Sequence, residues 1–189
     1  MKSFVISLGM LIFSFVSFSQ VIDFNNIDYK KLNDKVFNKI NEHRISLGLD
    51  SLYYSKTIEN FISKPNMNKM VAEKRMFHPG YSISDEKFIA DLSIEYKKSS
   101  NNKCFSGSPI MEFIGANGEI ICGLMQDNIT YDEVAELALE GWLSSPPHKK
   151  IMETSYKNYN NHAGLGSCQV KKVGDNFFVI FNFIQLNYM

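Results

Sequence analysis

The run "FFVIFNFIQL", Phe177 to Leu186, restricts the fold more than any other stretch of this chain. It is apolar on both alternating sets of positions, and a strand greasy on both faces has to be covered on both. It therefore reads as a central strand. "AGLGSCQVKK", Ala163 to Lys172, is a second strand-like run, separated from it by the turn-rich "VGDN".

The helical signals lie earlier. Leu32, Val36, Ile40, His43 and Leu47 recur at helical spacing. Gly48 follows the last of them, where a left-handed cap costs least. "SLYYSKTIENFISK" offers Ser55 as a cap and Ile58, Phe61 and Ile62 as a buried face. Pro65 predicts a kink or a restart before "MNKMVAEKRMF", which should stop near "HPG". Thr130 with Glu133 three residues on forms a capping box. Val134, Leu137, Ala138, Gly141 and Trp142 follow as a buried stripe, and Pro146 and Pro147 should end that helix. Between Ser82 and Ala116 the pattern weakens: "SSNNKCFSGSP" is loop-like, "PIMEFIG" suits a short strand, and "ANGEIICG" is a short apolar segment bounded by glycine. Helices first, strands last, and a final strand needing two covers predict an α+β chain. Its architecture would be a three-layer α–β–α sandwich on a central, mainly antiparallel sheet.

The opening "MKSFVISLGMLIFSFVSFSQ" is a different material. Lys2, an apolar run from Phe4 to Val16, and small residues at Ser17 and Ser19 describe a secretory signal peptide cleaved after Ser19. The competing reading, a membrane anchor, asks for roughly 20 apolar residues, more than this run supplies. The expected organisation is a signal peptide over 1–19, a polar lead-in over 20–35 and one domain over 36–189. The protein would be secreted or periplasmic, with no membrane span after cleavage. Lysine plus arginine equals aspartate plus glutamate at 20 each, so no basic stripe argues for nucleic acid. Of Cys104, Cys122 and Cys168, two could pair in an oxidising compartment and leave one free; which two is open. None has zinc-knuckle spacing.

Four histidines bound the chemistry: His43, His78, His148 and His162. His43 lies on the apolar side of its helix and reads as a structural residue whose polar tip has found a partner. His78 and His148 each sit at a helix end beside proline, and Glu119 is the lone acid of "NGEIIC". Singly, each has a plain explanation: a histidine suits the negative end of a helix dipole, and a glutamate beside glycine suits solvent. Together, two imidazoles and a carboxylate form a set suited to metal ligation or proton transfer.

"NEHR" (Asn41 to Arg44), "L..L.Y" (Leu49 to Tyr54), "HPG" (His78 to Gly80), "GEII" (Gly118 to Ile121), "W..SPPH" (Trp142 to His148) and "GLG" (Gly164 to Gly166) occur in that order. In that combination the chain resembles the CAP superfamily of cysteine-rich secretory proteins, antigen 5 and pathogenesis-related proteins, in its bacterial SCP-like branch. The resemblance runs from about Val36 to Phe183. It implies an α–β–α sandwich with a cleft lined by His78, Glu119 and His148, which would hold zinc or another divalent metal. It implies no other cofactor. The partners it implies are extracellular: lipids or sterols in grooves beside the cleft, or another protein. The chain departs from the family pattern at Ile120 and Pro147, where asparagine and glycine are usual. A second cleft acid has three candidates, Glu133, Glu136 and Glu140.

Three functions follow as expectations. The first is a secreted binding module. The second is a metal-dependent hydrolase or peptidase using the same cleft, although no "HExxH" helix is present. The third is a structural or adhesion role. A serine mechanism through Ser144 or Ser145 with His148 is weaker, because serines beside prolines are most simply helix-ending residues.

Overall fold

The computed structural model describes residues 20–77, 86–99, 128–153 and 164–185, together with the backbone of 118–122. The chain is an α+β fold. The signal-peptide segment, "HPG", "PIMEFIG", Cys104 and His162 lie outside the described residues.

Helix α1 spans Tyr29–Ser46 and begins where Asp28 accepts from the Lys31 backbone N–H. Leu32, Val36 and Ile40 are buried as their spacing predicts, but the stripe continues through Phe37 and Arg44 rather than Leu47. Leu47 is the C-cap and is 48% exposed, because the chain turns away there through Gly48 at φ +70°. The residues before α1 are drawn into the fold. Ile22 donates to the Ile129 carbonyl at 2.9 Å, Tyr131 donates to the Gln20 carbonyl at 3.2 Å, and Ile22 is buried.

Strand β1, Leu52–Tyr54, leads to α2, Lys56–Ile58, whose N-cap Ser55 accepts from the Ile58 N–H at 3.0 Å. A π-helical turn over Glu59–Ser63 then joins α3, Lys64–Glu73. Pro65 follows this turn directly, in the first turn of α3, and the backbone stays right-handed helical through Ser63 and Lys64, so the π-helical turn is what separates the two helices. The helix stops at Lys74 in the left-handed region, φ 51°, before "HPG" is reached. Helix α4, Glu86–Ser99, falls in the stretch whose pattern was weak and had no predicted helix. It buries Phe88 and Leu92, and Phe88 lies against Phe61.

Strand β2, Gly118–Cys122, pairs antiparallel with β4, Asn176–Gln185. β4 pairs antiparallel with β3, Gly164–Val173, and β3 pairs parallel with β1. The order β1-β3-β4-β2 places β4 inside the sheet, as its composition requires. Its alternation divides the core. Phe177, Val179, Phe181 and Phe183 join Val36, Ile40, Val134, Ala138 and Trp142, whereas Phe178 and Ile180 join Met67 and Met70 of α3.

Helix α5, Tyr131–Ser144, has the capping box, with Thr130 and Glu133 each bonding the other's backbone. Val134, Ala138 and Trp142 are fully buried. Pro146 and Pro147 end α5 only in part. Ser145 is extended, and the prolines then begin α6, Pro146–Met152, since the first helical turn tolerates proline.

Candidate functional site

His148 is half-buried in the first turn of α6. It therefore stands at the positive end of a helix dipole, and the plain account of a histidine favoured at a helix C-terminus does not describe it. Glu119 takes a position on β2 opposite Ile180 of β4. His78 lies outside the described residues, and so does the meeting of the three. Among the described residues no group of three or more His, Cys, Asp or Glu is arranged to hold a metal ion.

At the far end of the helix that bears His148 the structure assembles a frame. Arg44 is buried; its Nε donates to the Asp50 carbonyl at 2.9 Å and its Nη1 to the Met152 carbonyl at 2.5 Å. The second bond satisfies a carbonyl at the end of α6, where intrahelical donors have run out. His43 Nε2 lies 3.0 Å from Glu153 Oε1, one residue past that helix. His43 has thus found the partner its position called for. Asn41 completes the set: its Oδ1 accepts from the Leu52 N–H at 2.8 Å and its Nδ2 donates to the Leu52 carbonyl at 3.0 Å. The strand so held pairs Leu52 with Gly164, Tyr53 with Leu165 and Tyr54 with Gly166. "NEHR", "L..L.Y", "GLG" and the helix that "SPPH" opens are therefore one connected set of contacts.

The three candidates for a second cleft acid have visible occupations. Glu133 accepts from Thr130, which holds its carboxyl below the ordinary value. Glu136 pairs with Lys39, and Glu140 is exposed. Ser144 Oγ donates to the Gly141 carbonyl at 2.7 Å, a helix-end bond. Cys168 is a free, fully buried thiol whose pKa burial pushes up, so it is a poor nucleophile.

A second polar cluster, absent from the sequence reading, surrounds the π-helical turn. Glu59 is buried and pairs with Lys56 at 2.5 Å and Lys64 at 2.8 Å. It also meets the Tyr54 hydroxyl, whose pKa rises through burial and then through that hydrogen bond. Glu95 of α4 accepts from the Ser55 hydroxyl and from the Thr57 N–H. Ser63 donates to Asn182 Oδ1 at 2.7 Å. The Ser63 and Ser167 hydroxyls are 2.5 Å apart. Ser55 was legible as a cap; its carboxylate partner forty residues on had no local signal.

No family model matches this chain, and no curated protein matches it. Among solved structures it is similar to an outer surface protein from Borrelia burgdorferi, at 17% identity and a TM-score of 0.46. That match covers 89% of this chain and 98% of the other. No helix among the described residues is long and apolar enough to cross a membrane.

Proposed function

We propose that this chain is a secreted or periplasmic CAP-type (SCP-like) binding module. In this reading His78, Glu119 and His148 line a polar cleft that holds zinc or another divalent metal, and the partner is a lipid, a sterol or another extracellular protein. The same proposal takes the fold to be the three-layer α–β–α sandwich with a central, mainly antiparallel sheet. In support, two of the three strand pairings are antiparallel, and Phe178 and Ile180 pack with α3 while their neighbours pack with α1 and α5.

One observation carries the functional reading. His43 and Arg44 of "NEHR" grip the far end of the short helix whose first turn bears His148. A side chain that binds a ligand needs a rigid support, and here a buried guanidinium and a histidine–glutamate pair provide one. Binding rather than turnover is favoured by the described acids and bases. His43 and Glu153, Glu59 with its two lysines, Glu133 and Glu136 are all engaged in framework contacts.

Two histidines and a glutamate suit zinc, with a fourth position left for water or ligand. The test is a calorimetric zinc titration of the chain from Gln20 beside the His78→Ala/His148→Ala double variant. We expect one-to-one binding at about micromolar, roughly 8 kcal/mol, lost in the double variant. Affinity should weaken as pH drops through about 6.5, since both imidazoles must be neutral to ligate. Equal or absent binding in both proteins would remove the metal, leaving lipid vesicles and extracellular proteins as the probes. Peptide hydrolysis abolished by His148→Ala at unchanged fold would replace the binding reading with the hydrolase one.

A further inference from the structure

Besides completing the α6 frame, the carboxamide of Asn41 acts on an edge of the sheet. Among the described residues β1 is the last strand on its side of the sheet. In its parallel pairing, alternate residues turn both backbone groups toward the neighbour. Ser55 donates to the Gly166 carbonyl at 2.7 Å, which sets the alternation: Tyr53 and Ser55 face β3, and the N–H and C=O of Leu52 face outward. An outward pair of this kind is what an added strand would bind. Asn41 fills it, accepting from Leu52 N at 2.8 Å and donating to Leu52 O at 3.0 Å. A carboxamide offers a donor and an acceptor side by side, as a passing strand does.

The geometry points to Asn41 as a plug that closes the free edge of the sheet against a second copy of this chain. β1 runs only from Leu52 to Tyr54, so its outward groups belong to Leu52 and Tyr54. With the first pair occupied, too little edge remains for a ladder. Three apolar side chains close in sequence to this pair are left in solvent: Ile45, one helical turn after Asn41, Leu47 at the cap of α1, and Tyr53 of β1 are 61%, 48% and 47% exposed. If the edge is opened, two copies can pair β1 to β1 about a two-fold axis and cover these side chains.

The experiment uses the whole chain expressed with its own N-terminal segment. In the wild type, hydrogen exchange at the Leu52 amide should be slow although that amide faces away from the sheet. Asn41→Ala should accelerate it about tenfold or more while the Ser55 amide, bonded to β3, is unchanged. Asn41→Asp, which keeps the acceptor, should preserve most of the protection. Light scattering after gel filtration should show a monomeric wild type and a concentration-dependent dimer for Asn41→Ala. Adding Tyr53→Lys should dissolve that dimer, because like charges would then face one another across the two-fold pairing. Three outcomes overturn the proposal: an unprotected Leu52 amide in the wild type, an Asn41→Ala variant with wild-type mass at every concentration, or a dimer indifferent to Tyr53→Lys. If Asn41→Ala does not fold, the wild-type exchange and the Asn41→Asp variant decide alone.

Discussion

Arg44 Nη1 donates a 2.5 Å hydrogen bond to the Met152 carbonyl, tying the end of α1 to the end of α6 across 108 positions of sequence. Burial lowers the pKa of this guanidinium, with Asp50 opposing the shift. Arg44→Met should cost about 2–4 kcal/mol, since the Met152 and Asp50 carbonyls lose a charged donor. Arg44→Lys should recover only part of that loss, because an ammonium cannot reach two carbonyls with a planar fork. Urea unfolding followed by the fluorescence of Trp142, the single and fully buried tryptophan, measures both. A loss below about 0.5 kcal/mol for Arg44→Met would show that the bond does not hold α6.

Glu59 predicts an acid-dependent stability. Burial alone would raise its carboxyl, but hydrogen bonds from Lys56, Lys64 and Tyr54 outweigh that and leave it below its ordinary 4.5. A group with a folded value below its unfolded one stabilises fully above the unfolded value. It loses that contribution as pH falls through the folded one. Glu59→Gln should therefore be less stable than wild type at neutral pH, and the gap should close as pH is lowered from about 5 to about 3. Parallel stability curves across that window would contradict the assignment.

What was legible in the sequence is what local chemistry decides. Thr130 and Glu133 announce a helix start by themselves, and the two-faced run from Phe177 needs cover whatever lies elsewhere. Pro146 and Pro147 were ambiguous for a physical reason: proline suits both the residue that ends one helix and the first turn of the next. Helix α4 was missed: among its described side chains the buried apolar ones are Phe88 and Leu92, one helical turn apart and set among charged neighbours. Arg44 reads as a solvated charge until the carbonyls of Met152 and Asp50 are placed around it, and nothing near Arg44 in sequence reveals the first of them. Of the three residues that the resemblance places in a cleft, His148 is the one whose helix is seen held at its far end, by His43 and Arg44.

The "GLG" stretch yields a packing prediction. A Cβ on Gly166 would stand 3.3 Å from the Asn182 carbonyl oxygen, Phe183 Cβ and Phe37 Cε2. Two of these belong to the adjoining strand and cannot swing aside. On Gly164 the nearest atom is Leu52 Cδ2 at 2.2 Å, the end of a side chain that can rotate. Gly166→Ala should cost about 1–3 kcal/mol, and Gly166→Val more. Gly164→Ala should cost less than Gly166→Ala, provided Leu52 finds another rotamer. The same fluorescence-detected unfolding ranks them, and the reverse order would mean that Leu52 is the more rigid wall.

The buried hydroxyls behind the π-helical turn give a prediction about coupling. Ser63, Ser167 and Asn182 are all nearly or fully buried, and Ser167 and Asn182 are register partners on β3 and β4. Ser63 gives its only hydroxyl proton to Asn182 Oδ1, so in their short contact Ser167 must be the donor. Ser63 is thus both acceptor and donor in one chain of bonds. Ser63→Ala should cost about 1–3 kcal/mol, because it strips a partner from two buried groups at once. Ser167→Ala should cost less, since it removes a donor and leaves the Ser63–Asn182 bond in place. In the double variant the costs should fall short of additive by at least about 0.5 kcal/mol, as they do for residues sharing a hydrogen bond. Strictly additive costs would show that the hydroxyls act independently, and the π-helical turn would then need another reason to direct Ser63 at the sheet.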